Sequence, residues 1–352
     1  MKSLWVIKQN NLLYKCALKR EIGIWKNSRQ TNFLDNKFHK VEFMYDNNTY
    51  HIENNKDWID FISNFGPFKN VLVLGGNNTT LEKYLIEKKI ADNIENIDII
   101  YDNNSNMNKF ADLNFIDLPS NRYDLVIAKS ILHHIVNLEH LLYQVNKTLL
   151  TNGLFLVFEY VGENKQQWDS TKIELINKQF MASDIIPNYQ FDKLKENYFN
   201  NWPFESIRSQ EITEILPKVF TDKVIEIKWG GLNWPIDYHI RQFCINNHIS
   251  LTEAQIQILK HRANKIDKYY HQNQSIKIQP SYLFGIYNKS TDNKAIHVIR
   301  WDKTKIKKEF QLNGPLKVRI RSLLTTYNDT FIVKGLVTVK KISKNINFSK
   351  RK

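Results

Sequence analysis

The fold is decided by residues 69–85, KNVLVLGGNNTTLEKYL. Residues 71–74 form a continuous apolar run without alternation, which is typical of a strand buried on both faces. Gly75 and Gly76 follow, and glycines permit a tight turn in which the backbone approaches a ligand. The apolar residues of 81–85 then recur at helical spacing. The stretch therefore predicts a strand, a glycine turn and a helix whose first N–H groups face the ligand.

Strands and helices continue to alternate after this stretch. Residues 97–102 predict a second strand, a third element carries residues 111–113, and 123–128 and 154–158 predict a fourth and a fifth strand, with a helix over 138–150. Further along the chain, residues 205–219 predict a helix, and 224–229 and 282–288 predict two more strands. This alternation is typical of an α/β fold with a mostly parallel sheet.

Acidic residues occur where a nucleotide-binding fold needs them. Ligands of open α/β sheets lie beyond the carboxyl ends of the strands, where an acid after the second strand accepts hydrogen bonds from ribose hydroxyls. Asp102 ends the predicted second strand and takes this role. Asp98 is its rival but lies in mid-strand in this assignment, and a turn-forming role for Asp102 beside Asn103 is the alternative.

Together these segments resemble the class I S-adenosylmethionine-dependent methyltransferase family. The resemblance is carried by the glycine turn, the acidic strand end, the Asp112-Leu113 pair, Tyr-Asp-Leu-Val at 123–126 and Ser-x-Leu-His-His at 130–134. It covers residues 69–162 and continues to about residue 289. It implies a seven-stranded, mostly parallel Rossmann-like sheet with helices on both faces. Residues 158–162 and 205–209 resemble a bacterial subgroup found among glycan or secondary-metabolite genes.

The resemblance implies S-adenosyl-L-methionine as the cofactor. Asp112 would bind the adenine amino group and Leu113 would pack on the base. The full predicted cofactor site is Gly75, Gly76, Asn77, Asp102, Asp112, Leu113 and Lys129. The Gly-x-Gly-x-x-Gly of a NAD site is absent.

The glycine turn departs from the family pattern Gly-x-Gly-x-Gly, because Asn77 and Asn78 follow Gly76. Asparagine tolerates the left-handed region, so Asn77 is able to substitute for a glycine. The alternative is that cofactor binding is weakened or activity is lost.

His133 and His134 follow the fourth strand, where the acceptor would approach the methyl group. An imidazole could remove a proton from a hydroxyl during transfer, or it could cap or pack the next helix.

Three further residues are predicted to bind substrate. Glu159 and Tyr160 end the fifth strand, although Glu159 could instead balance an arginine. Arg208 could hold an anionic group or pair with Glu205.

Composition and charge divide the chain. We expect an N-terminal extension at 1–32, a methyltransferase domain at 33–290 with a helical insert at about 233–275, and a basic, β-rich module and tail at 291–352. Residues 1–240 hold 27 Lys and Arg against 30 Asp and Glu, whereas residues 241–352 hold 23 against 6. The basic third could bind nucleic acid, dock on an anionic partner or membrane surface, or form a solvated face.

Two cysteines, Cys16 and Cys244, supply neither a disulfide framework nor zinc-finger spacing, so no metal is predicted. No run approaches the length of a membrane span, and a cytoplasmic protein is expected. The sequence does not determine the oligomeric state.

The sequence thus predicts a methyltransferase acting on a small-molecule or glycan-linked acceptor, with oxygen as the expected site of methylation. The alternatives are an RNA methyltransferase guided by the basic module, and an inactive binding or scaffold protein of the same fold.

Overall fold

A computed structural model describes residues 12–27, 37–76, 79–100, 108–166, 168, 170–180, 182–186, 203–273 and 278–291. Asn77, Asp102 and nearly all of the basic module at 291–352 lie outside the described residues. The helices are α1 (Leu12–Asn27), α2 (Asn55–Ile62), α3 (Thr79–Glu87), α4 (Leu138–Thr148), α5 (Ser170–Gln179), α6 (Ser209–Val219), α7 (Asn233–Asn246) and α8 (Glu253–Asn273). The strands are β1 (Lys37–Tyr45), β2 (Asn48–Asn54), β3 (Phe68–Leu74), β4 (Ala91–Asp98), β5 (Asn108–Phe110), β6 (Tyr123–Lys129), β7 (Leu149–Tyr160), β8 (Lys223–Trp229) and β9 (Tyr282–Asn288).

Seven strands form the central sheet in the order β5-β4-β3-β6-β7-β9-β8. The first five are parallel, and β9 is antiparallel to both β7 and β8. From β3 the chain first moves outward to β5 and then crosses to β6 on the other side. The strand order therefore reverses between β3 and β6, which is where open α/β sheets bind ligands. The predicted seven-stranded, mostly parallel Rossmann-like fold is confirmed.

Strand β3 occupies the centre of the sheet because both of its faces are apolar. Leu72 and Leu74 pack in one core with residues of α4 and α6. Val71 and Val73 pack in a second core with residues of α2 and α3. The unbroken apolar run is thus buried on both sides, as its pattern predicts.

The second predicted strand is wrong in position. The strand is Ala91–Asp98, so Asp98 lies at its carboxyl end rather than in its middle. Its polar residues hide the apolar pattern by which a buried strand is predicted. Asn96 is only 1% exposed because its side chain bonds to Gly76 and Glu82 within the fold.

The other predicted strands over 123–128, 154–158, 224–229 and 282–288 are present. The helix predicted from Glu205 begins only at Ser209, and the third strand ends at Phe110, before Asp112.

Described aromatic residues of α2 and of the β1–β2 hairpin pack against the sheet. Trp58 of α2 stacks on Phe284 of β9 with ring centroids 3.8 Å apart, and Phe43 of the β1–β2 hairpin stacks on Trp58. Helices α7 and α8 lie between β8 and β9 in the chain, where the helical insert is predicted. The proposed division at residues 32 and 290 stays a prediction. Every helix in the described segments is too short or too polar to span a bilayer.

Candidate functional site

Gly75 begins the turn at the carboxyl end of β3, beside the point where the strand order reverses. Its φ of +71° is a left-handed conformation, and its N–H donates to Ile97 O of β4 at 2.8 Å. A Cβ at this position would lie 2.6 Å from the side chain of Ile131. Both the backbone angle and the space therefore require glycine.

Gly76 is held by a buried polar relay. Its N–H donates to Asn96 Oδ1 at 3.1 Å, and Asn96 Nδ2 donates to Glu82 Oε1 at 2.9 Å. Glu82 lies in the first turn of α3 and is 2% exposed. Burial raises its pKa to about 7. The relay couples the glycine turn to the start of α3.

Asp98 is the acid that the structure places at this edge. Leu74 of β3 pairs with Ile97 of β4, so Gly75 and Asp98 end neighbouring strands at the same level. The Asp98 carboxylate accepts a hydrogen bond from Ile100 N at 2.8 Å, and burial raises its pKa to about 6. It is therefore the candidate for the ribose-binding role predicted for Asp102.

Asp112 already has a partner from the N-terminal helix. Tyr14 of α1 donates its hydroxyl to the Asp112 carboxylate, with distances of 2.8 and 3.0 Å to the two oxygens. Asp112 Oδ1 also accepts the Asn114 N–H at 3.0 Å, and Leu113 is buried. An adenine amino group would share this carboxylate with Tyr14 or displace it.

His133 and His134 lie on a short 3-10 turn after β6. Glu159 at the end of β7 accepts the Ile131 N–H at 2.6 Å and the His133 N–H at 2.9 Å, which fixes this turn. The second Glu159 oxygen also lies 3.0 Å from His133 Nδ1. Burial by itself would lower the pKa of His133, but Glu159 and more distant carboxylates raise it to about 9.

Two carboxylates that the sequence did not suggest complete this cluster. Glu21 of α1 lies with Oε1 3.2 Å from His134 Nδ1, and Glu205 lies 3.8 Å from His133 Nε2 and 3.7 Å from His134 Nε2. Both are more than 70 residues from the histidines in the chain, so spacing carries no signal for them. Only the tertiary fold brings them together.

Lys129 and Tyr160 lie at the ends of β6 and β7. Burial lowers the pKa of Lys129 to about 7 although Glu159 opposes this shift. Tyr160 is buried, and burial together with Glu163 raises its pKa. Their predicted roles toward cofactor and substrate stay predictions.

Arg208 is 1% exposed and neutralises two carboxylates, of which Glu139 is buried. It binds Glu139 through two hydrogen bonds of 2.7 and 2.8 Å, and it binds Glu211 at 2.7 Å. It also donates to Val136 O at 2.7 Å. These contacts give Arg208 a structural role and do not favour its predicted contact with an anionic substrate. The sequence analysis gave an ion pair between Arg208 and Glu205 as the alternative. In the structure Arg208 binds the carboxylates of Glu139 and Glu211.

A separate cavity of about 480 Å³ lies between α7 and α8, and none of the predicted site residues lines it. Its wall is mostly apolar and includes Ile236, Ile240, Cys244, Ile256, Leu259 and Ala263.

No protein-family model and no curated protein sequence matches the chain. Several solved structures resemble its fold. A candidate sarcosine dimethylglycine methyltransferase from Galdieria sulphuraria is 10% identical with a TM-score of 0.36, and the match covers 66% of this chain and 85% of that chain. The phosphoethanolamine N-methyltransferase 2 of Haemonchus contortus, solved with S-adenosylhomocysteine, is 13% identical with a TM-score of 0.37, and the match covers 68% of this chain.

The match spans only 53% of that Haemonchus protein. An S-adenosylmethionine-dependent methyltransferase from Mesorhizobium loti is 14% identical with a TM-score of 0.34, and the match covers 63% of this chain and 91% of that chain. At these identities the likeness concerns the fold, and the activity has to be argued from the site.

The described residues fit the nucleoside end of S-adenosyl-L-methionine. Gly75 exposes backbone at the end of β3, and the neighbouring Asp98 carries a carboxylate whose chemistry suits two vicinal hydroxyl donors. The glycine turn and the acid come from adjacent parallel strands, as nucleotide sites of this architecture require.

Proposed function

We propose that this chain is an S-adenosylmethionine-dependent methyltransferase that acts on a small-molecule or glycan-linked acceptor, with transfer to oxygen. The observation that carries the proposal is the pairing of left-handed Gly75 with the buried acid Asp98 at the reversal point of the sheet. When bound, the cofactor supplies an electrophilic methyl group together with its own leaving group.

The protein's part in this reaction is binding and alignment. Asp98 accepts hydrogen bonds from the ribose hydroxyls, and the turn at Gly75 lets the backbone approach the ligand. Asp112 receives the adenine amino group on the face where Tyr14 now contacts it. Holding the acceptor oxygen in line with the methyl carbon supplies most of the acceleration in such a transfer.

The acceptor would approach past the turn that carries His133 and His134. Glu159 fixes that turn through two backbone N–H groups, so the histidines are held rigidly at the strand ends. Their role as a proton acceptor stays a prediction, and transfer does not require it. An RNA acceptor depends on the basic residues 291–352, which lie almost wholly outside the described residues.

The ribose assignment is tested by binding of S-adenosylhomocysteine. Purified wild-type protein should show a saturable calorimetric signal and a rise in melting temperature with this ligand. Asp98→Ala should lose about tenfold to a hundredfold in affinity, because a hydrogen bond to a charged group contributes about 1.5–3 kcal/mol.

Asp102→Ala is the matched control, since it removes the rival carboxylate. If only Asp102→Ala weakens binding of S-adenosylhomocysteine, Asp102 and not Asp98 binds the ribose. If the wild-type protein binds no S-adenosylhomocysteine, the chain keeps the fold without the activity. If it binds, incubation with isotope-labelled methyl donor and a metabolite extract should yield a labelled small molecule.

A further inference from the structure

The cluster of His133, His134 and Glu205 has the composition of a metal centre. One nitrogen from each histidine and one carboxylate oxygen of Glu205 all lie within 4.8 Å of one another. Two imidazoles and one carboxylate are the ligands that proteins use for zinc and for related first-row transition metals. From these positions we propose that His133, His134 and Glu205 bind a divalent transition-metal ion, with Zn²⁺ as the best match.

The orientation of the histidines supports this proposal. Each Nδ1 faces a carboxylate, that of His133 toward Glu159 at 3.0 Å and that of His134 toward Glu21 at 3.2 Å. Metal-binding histidines usually donate their second ring N–H to a carboxylate, which fixes the tautomer. His133 has this hydrogen bond with Glu159, whereas His134 Nδ1 lies within ion-pair distance of Glu21 without hydrogen-bond geometry. In both histidines the other ring nitrogen, Nε2, is the one that lies near Glu205.

The distances to Glu205 are those of groups that share an ion rather than a proton. His133 Nε2 and His134 Nε2 lie 3.8 and 3.7 Å from its two oxygens, beyond the hydrogen-bond range of about 2.7–3.2 Å. Bonds of about 2.0–2.2 Å at tetrahedral angles place zinc ligands about 3.3 Å apart. The ligand atoms now lie up to 4.8 Å apart, so closing the cluster around an ion needs them to approach one another by at most about 1.5 Å.

The charge of the cluster also favours a cation. Glu21, Glu159 and Glu205 bring three carboxylates to two imidazoles, and the side chains of Glu21 and Glu159 are at most 1% exposed. Lys129 balances part of this charge through its interaction with Glu159. A divalent ion bound to neutral imidazoles would offset most of the remainder.

The backbone around Glu205 is fixed before any ion binds. Ile207 N donates to His133 O at 3.0 Å, and Ser206 is fully buried with its hydroxyl 3.1 Å from Glu205 Oε1. Phe204 N donates to Glu21 Oε2 at 3.3 Å, so the ligand and the positioning carboxylates belong to one network. The Glu205 side chain is 14% exposed.

This inference does not depend on the proposed methyl transfer, because its test uses the metal alone. Untagged, chelator-treated protein is titrated with Co²⁺, which reports its coordination by visible absorption, and Zn²⁺ is then added as a competitor. We expect one Co²⁺ per chain, displacement by Zn²⁺, and a loss of at least about a hundredfold in affinity in Glu205→Gln and in His134→Ala. Glu21→Gln should lose about tenfold to a hundredfold, as positioning residues of metal sites do.

His51 supplies a matched control, since its Nδ1 also lies 3.2 Å from a glutamate, Glu42, but on the exposed surface. His51→Ala should bind Co²⁺ as the wild type does. Glu205→Gln keeps shape and volume, so it decides the matter if His134→Ala fails to fold by circular dichroism. Absence of stoichiometric binding in the wild type, or unchanged affinity in Glu205→Gln, would overturn the proposal. Neither result bears on binding of S-adenosylhomocysteine.

Discussion

Replacing Glu82 with glutamine should stabilise the protein at alkaline pH and not at acidic pH. Glu82 Oε1 accepts a hydrogen bond from Asn96, but Oε2 is buried and has no hydrogen-bond partner among the described residues. Burial therefore raises the pKa of Glu82 from 4.5 to about 7. The unfolded chain binds a proton at Glu82 only below its ordinary pKa, whereas the folded chain keeps that proton up to about pH 7.

The magnitude follows from this difference in pKa. Above about pH 7 the folded protein holds an ionised, poorly solvated carboxylate, so the free energy of unfolding falls as the pH rises through this interval. Each pKa unit corresponds to about 1.4 kcal/mol, so the rise from 4.5 to about 7 sets an upper bound of about 3.5 kcal/mol. Glutamine removes the charge and keeps an oxygen for Asn96 Nδ2. We expect Glu82→Gln to gain about 2–3 kcal/mol over the wild type at about pH 8.5 and less than about 1 kcal/mol at about pH 5.

Urea unfolding of both proteins at the two pH values measures this difference directly. Glu87→Gln is the control, because Glu87 lies on the same helix with an exposed side chain. It should shift the unfolding midpoint equally little at both pH values. A stability difference between Glu82→Gln and wild type that is the same at both pH values would refute the reasoning, since no ionisation would then be linked to folding at this site.

Three further outcomes are expected. Arg208→Met should lower the free energy of unfolding by about 3–5 kcal/mol in urea, because Glu139 would remain as a buried, unpaired charge; a change below about 1 kcal/mol would contradict the ion-pair assignment. Trp58→Ala should cost about 3–5 kcal/mol through the cavity it leaves against Phe284 while leaving nucleoside affinity unchanged in calorimetry. Affinity for S-adenosylhomocysteine should fall as the pH drops through about 6, where Asp98 takes up a proton, and a flat calorimetric profile between pH values of about 5 and 8 would argue against that residue.

The sequence predicts the sheet well because its central strands are defined by local pattern. The apolar run of β3 and the Tyr-Asp-Leu-Val of β6 need no information from distant residues to be recognised. The position of strand β4 was predicted wrongly because its burial depends on residues elsewhere in the chain. Asn96 is polar, and its pattern in the sequence does not indicate a buried strand. In the structure its side chain is hydrogen-bonded by Gly76, which follows β3, and by Glu82 of α3, and these partners allow it to be buried.

The candidate site was predictable only in part for the same reason. His133 and His134 are adjacent in the chain and follow a recognisable strand, so they stand out in the sequence. Glu21 and Glu205 come from a helix and a turn far away in the chain, and no spacing rule joins them to the histidines. The sequence-based expectation that no metal is bound considered cysteine spacing, which has no bearing on a site made of histidine and glutamate.

The insertion of β9 between β7 and β8 has a consequence for the order in which the chain assembles. Lys223 of β8 pairs with Tyr287 of β9, so β8 has no neighbour in the central sheet until the ribosome has released α7, α8 and β9. Until then β7 has an unpaired edge with which another strand could pair. Just beyond the last strand, the Asn146 side chain makes two hydrogen bonds with the backbone of Ser290, of 2.8 and 3.1 Å. Released chains truncated before residue 282 should therefore be captured by chaperones far more often than chains truncated after residue 291.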